Sequence, residues 1–121
     1  MHEAVQQALE HDRTIDITTR GRQTGQLRRT EIWFHNLDGR LYITGTPGHR
    51  GWYANLLAHP EFTFHLKQST LADLPARATP ILEPAQRREI IARIHATLQG
   101  RRDLEAWVAG SPLVQVELLA P

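Results

Sequence analysis

Apolar and polar residues alternate with a period of two along Phe62-Thr63-Phe64-His65-Leu66. Side chains that point to opposite faces at each step are the signature of a half-buried strand. The same beat recurs along the chain and commits it to a sheet. Thr14 to Thr18 alternates and is rich in β-branched residues. Thr30, Ile32 and Phe34 share one face of a second strand, while Glu31, Trp33 and His35 share the other. Asp38-Gly39 is a hairpin-turn signal, and it leads straight into a third strand, RLYITG. A further strand runs from about Leu71 to Ile81, where Pro75, which has no N–H to give a ladder, predicts an edge or a bulge. Val114, Val116 and Leu118 alternate inward in a last strand.

Helical signals fall between and after these strands. Val5 and Leu9 share a face within Glu3 to Glu10, and Trp52, Leu56 and His59 share one in a short helix that Pro60 stops. Pro84 opens a longer helix at its first turn, with Ile90, Ile91, Ile94 and Leu98 as its apolar stripe and Gly100 as its C-terminal residue. Asp103 is placed to cap another short helix reaching Trp107, ended by Gly110 and Pro112. About six antiparallel strands joined by short turns close most economically into a small barrel, since closure leaves no bare edge. The expected class is mainly β with small helices (α+β), and residues 1–121 are expected to form one domain.

Composition narrows the function. With 14 basic and 13 acidic residues the formal net charge is +1, which argues against a general nucleic-acid or membrane-surface binder. Without cysteine there can be no disulfide, no thiol nucleophile and no thiolate-held metal. The N-terminus is polar, no apolar run is long enough for a transmembrane helix, and the expected location is the cytoplasm. The seven histidines show no metal-ligand spacing, and no serine-histidine-aspartate set is legible.

The positive charge is local. ITTRGRQTGQLRRTEI, residues 17–32, sets Arg20, Arg22, Arg28 and Arg29 with two glycines between two strands. Glycines let backbone N–H groups approach a ligand and form an anion nest, and arginine adds forked, charge-assisted bonds to phosphate or carboxylate. The plain alternative is a solvated hairpin whose arginines pair with Asp16, Glu31 or Asp38. Strand alternation makes Arg22 and Arg28 better anion ligands than Arg20 and Arg29.

TTRGRQTGQLRR, DGRLYIT and WYANLLAHPE, in that order, resemble the deazaflavin-dependent nitroreductase family of the FMN-binding split β-barrel superfamily, over roughly Thr14 to Pro80. The resemblance implies an antiparallel split β-barrel. It also implies an oxidoreductase that binds coenzyme F-420, a deazaflavin with a phosphodiester and an oligoglutamate tail. Such a protein passes hydride to an apolar, electron-poor small molecule such as a quinone or a nitroaromatic. Carried over by position, Arg22, Thr24, Gly25 and Arg28 grip the anionic tail, Thr46 and its backbone neighbours meet the ring edge, and Trp52 and Tyr53 border the ring. Gln23 stands where the family commonly has lysine, and the Thr46–Gly51 turn is shorter, with His49 and Arg50 as its cations. Those departures keep two alternatives: an FMN-binding reductase of the same fold, or a non-catalytic module for an anionic ligand. Tyr42, Tyr53 or water are the candidate proton donors, and the chain is expected to be a monomer or a homodimer.

Overall fold

Period-two strands linked by turns of a few residues pair antiparallel with their neighbours, and here they close on themselves. In the computed structural model, which describes residues 2–98 and 103–119, the elements are α1 (Glu3–His11), β1 (Thr14–Arg20), β2 (Leu27–Leu37), β3 (Arg40–Thr44), α2 (Gly51–Ala58), β4 (Glu61–Leu66), β5 (Ala72–Pro80), α3 (Pro84–Thr97), α4 (Leu104–Gly110) and β6 (Leu113–Leu118). The strands form a closed antiparallel barrel in the order β1-β2-β3-β6-β5-β4. The expected C-terminal residue of α3, Gly100, lies outside the described residues.

Inward-facing side chains fill the barrel: Ile15, Ile17, Phe34, Ile43, Phe64 and Val114 are essentially inaccessible. Phe34 and Phe64 meet edge to face at its centre, with ring centroids 5.2 Å apart. Ala8 and Leu9 of α1 close the end where β1 begins, and Trp52 and Leu56 of α2 close the end where β1 finishes. A second apolar cluster forms outside the barrel, where Ile90, Ile91 and Ile94 of α3 and Trp107 of α4 pack on Tyr42. That cover explains why β3 is buried on both faces rather than alternating.

Three strand expectations need correction. β1 runs two residues past Thr18, because Thr19 and Arg20 still pair with Arg28 and Leu27 before the turn begins. β5 is neither an edge nor bulged: Pro75 pairs in register with Thr63, and β6 flanks the strand on the other side. The Pro75 carbonyl accepts from the Leu119 N–H at 2.9 Å, so its missing donor faces β6 just past that strand's last residue. The bond that proline cannot make therefore falls at the end of the ladder, not in its middle. His65 sits on the outward face of β4 yet is buried, held between Thr18 and Asp73.

Candidate functional site

The arginine loop is shaped by its glycines. A Cβ on Gly21 would stand 2.8 Å from Thr24 Oγ1, and Gly25 has φ +72°, the left-handed region open to glycine. The Gly21 N–H donates to Gln26 O at 2.8 Å, Gly25 N–H to Gly21 O at 2.9 Å, and Gln26 N–H to Thr24 Oγ1 at 3.2 Å. Asn55 of α2 pins this loop to the barrel: its Oδ1 accepts from the Arg22 N–H at 3.1 Å, and its Nδ2 donates to Thr19 Oγ1 at 3.1 Å. The expected anion nest therefore narrows, since within this loop, among the described residues, the N–H groups of Gln23 and Thr24 alone lack an acceptor. An anion here has to be held mainly by side chains.

Those side chains divide as strand alternation predicts. Arg29 points outward and binds Asp16 at 2.8 Å, where Lys67 also reaches that carboxylate at 2.7 Å and bonds Glu31. The Lys67 hydrogen bond, aided by Arg29, holds the Asp16 carboxyl below its ordinary range against the opposing effect of burial. Arg20 is spent within the loop, donating to Gly25 O at 3.0 Å. Arg22 and Arg28 are exposed, and neither guanidinium has a hydrogen-bond or ion-pair partner among the described residues. Arg28 stands opposite Thr19, at the barrel mouth that α2 closes. Of the acid pairings expected for a plain hairpin, Arg29 makes one with Asp16, and Arg22 and Arg28 make none among the described residues.

Arg22 opens onto a cleft of about 990 Å³ between α2 and the corner of α3 and α4, with His49, Tyr53, Leu57 and Leu82 among its walls. The N-terminus of α2 faces this cleft with no side-chain cap and no acidic residue in its first turn, so its positive end is not neutralised. Leu57 and Leu82, both more than half exposed, supply apolar wall. Two other arginines of the cleft are committed to the fold. Arg50 donates to His49 O at 2.8 Å, to Thr46 O at 3.0 Å and to Thr46 Oγ1. Arg87 donates to Ile81 O at 3.0 Å, Val108 O at 2.9 Å and Ser111 O at 2.7 Å. Ser111 Oγ, also at the cleft, is buried without a partner. Ser111→Ala removes that unmet hydroxyl and is expected to raise stability by about 0.5–1 kcal/mol, read as a higher urea midpoint.

Thr46 lies on the other side of the same turn. With Trp33, His35, Thr44, Leu98 and Trp107 it lines a second, largely apolar notch of about 300 Å³. Thr44 Oγ1 donates to Pro112 O at 2.6 Å, tying the notch wall to a residue of the cleft wall. The expected site residues are therefore split: Arg22 and Tyr53 face the cleft, Thr46 faces the notch, and Thr24 and Gly25 shape the loop. Trp52 is 8% exposed and packs in the barrel core, edge to face with Tyr53 at 5.9 Å. His35 and Trp107 carry no motif that points to such places; their positions come from tertiary packing.

The fold also lines up a set that the sequence hides. Thr18 Oγ1 and His65 Nε2 lie 2.7 Å apart, and His65 Nδ1 and Asp73 Oδ1 2.7 Å. The His65 bond holds the Asp73 carboxyl below its usual range. These residues line neither the cleft nor the notch, and they cross-brace β1, β4 and β5.

A family model for F420H(2)-dependent quinone reductase matches residues 2–114. Among solved structures, the chain is similar to a conserved hypothetical protein from Mycobacterium tuberculosis (TM-score 0.75, 19% identity, 98% of this chain and 81% of that one). It is also similar to an F420 reductase (TM-score 0.70, 18% identity, 99% and 97%). A putative pyridoxamine 5'-phosphate oxidase from Listeria innocua matches as well (TM-score 0.67, 11% identity, 95% and 94%). These likenesses establish the split β-barrel fold.

Proposed function

The chain belongs to the F420H(2)-dependent quinone reductase family, and from that premise we propose that it holds coenzyme F-420 in the cleft and reduces a quinone bound in the notch. The observation that carries this reading is the uncommitted Arg22 guanidinium beside the uncapped start of α2, where Arg50 and Arg87 are already spent. A donor set of free guanidinium and helix N–H groups fits the phosphodiester and carboxylates of that coenzyme. Arg28 at the barrel mouth and the Thr24 hydroxyl lie outside the cleft lining, on the loop over which a long anionic tail would extend. When bound and reduced, the deazaflavin supplies hydride. The chain's own part is to hold the tail, exclude water and fix the distance between donor and acceptor.

The turn from Gly45 to Arg50 is the wall between the two spaces, and Arg50 staples it by bonding Thr46. With the charged end of the cofactor held at Arg22, this turn would set how closely its ring comes to an acceptor beside Thr46. Trp33 and Trp107 then give an apolar, electron-poor acceptor two aromatic surfaces in the notch.

Arg22→Ala tests the reading. Losing charge-assisted bonds at an exposed site is expected to weaken F-420 binding roughly 10- to 100-fold, measured by fluorescence titration. Arg77→Ala, which removes an exposed cation paired with Glu61 at 3.8 Å, is expected to leave the affinity unchanged. Equal affinity for Arg22→Ala and wild type would remove Arg22 from the site.

A further inference from the structure

His35 stands in the wall shared by two hollows. One is the acceptor notch. The other, about 150 Å³, is lined by Glu10, His11, Asp12, Arg13 and Thr97 among others. Glu10 and His11 are exposed, so water and its protons reach that second hollow. The imidazole itself is nine-tenths buried, and among the described residues it makes no side-chain hydrogen bond or ion pair. Its ring nitrogens are not sealed in the packing, so they open toward the apolar notch and the polar hollow, free for a partner on either side.

Burial, with a smaller push from the Arg13 guanidinium, lowers the His35 pKa to about 4. The ring is therefore neutral near pH 7, with one N–H donor and one free lone pair. The tyrosines considered from the sequence lie elsewhere: Tyr42 is buried in the cluster under α3, and Tyr53 lines the cleft.

We propose that His35 is the proton relay of quinone reduction, passing a proton from the hollow beside α1 to the acceptor in the notch. This rests on the function proposed above. Hydride from the reduced deazaflavin carries two electrons to the quinone and leaves a hydroquinone monoanion. The N–H of His35 breaks as that proton bonds to the anionic oxygen, giving the neutral hydroquinone. The other ring nitrogen takes a proton from water in the hollow, so the imidazole ends neutral in its second tautomer and resets through solvent. The remaining proton from the oxidised deazaflavin goes to water, which balances charge. A relay of this kind needs no stable imidazolium, consistent with a ring that burial keeps neutral.

The test uses the whole protein with reduced F-420 and 2-methyl-1,4-naphthoquinone. His35→Gln keeps a polar side chain of similar reach and cannot relay; its kcat is expected to fall roughly 100-fold or more, with F-420 affinity unchanged. In His35→Ala, added imidazole is expected to restore turnover saturably while leaving wild type unaffected, a rescue that a packing role does not give. His35→Gln turning over within threefold of wild type, at equal F-420 affinity, would overturn the relay alone. Wild type that binds no F-420 would overturn the relay together with the functional reading beneath it.

Discussion

Arg87→Met is expected to lower the melting temperature by about 10–20 °C, a loss of about 3–5 kcal/mol. The half-buried Arg87 guanidinium donates to the carbonyls of Val108 at 2.9 Å, Ser111 at 2.7 Å and Ile81 at 3.0 Å. The last carbonyls of a helix have no acceptor role within it, and a cation there also meets the negative end of the dipole. Arg87 fills that position for α4 from a neighbouring helix, and through Ile81 it fixes where β5 hands over to α3. Methionine retains the apolar stem and removes the fork, so the carbonyls are left without their donor while packing is kept. Thermal denaturation followed by circular dichroism measures the effect. A drop of only a degree or two would mean that water replaces the clamp.

Asn55→Ala is expected to cost about 2–3 kcal/mol and to release the arginine loop. Its amide spans the Arg22 N–H and the Thr19 hydroxyl, and Thr19 is 1% exposed, so water cannot readily replace the lost donor. Loss of the bridge leaves α2 closing the barrel through Trp52 and Leu56, while the loop loses its tie to that helix. The expected signature is therefore double: a lower melting temperature and faster hydrogen exchange at the Arg22 N–H. Lower stability with unchanged exchange at Arg22 would show that the loop holds its shape by its own internal bonds.

The strands and their inward faces are legible in the sequence because period-two alternation is a local property, and Phe62, Phe64, Val114 and Val116 are buried as their spacing predicts. The separate placement of Arg29 from Arg28 is legible for the same reason: the pleat sends Arg29 outward to Asp16. What local pattern cannot carry is which distant groups meet. Pro75 reads as an edge until β6 is seen to end beside it. The nest expected from the two glycines narrows because Asn55, 33 residues from Arg22, takes one of the N–H groups. His35 reads as an outward strand residue, and only the packing of α3 and α4 against the barrel turns its surroundings into a notch. Thr18, His65 and Asp73 come from three strands, so no spacing announces them.

The most direct test of the account is a fluorescence titration of the wild-type protein with coenzyme F-420 and with FMN, at low and at high salt. The account predicts saturable F-420 binding that weakens as salt screens Arg22, Arg28 and the start of α2, with FMN binding far weaker because it lacks the oligoglutamate tail. Tighter binding of FMN, or F-420 binding indifferent to salt, would contradict a cleft built to hold that anionic tail.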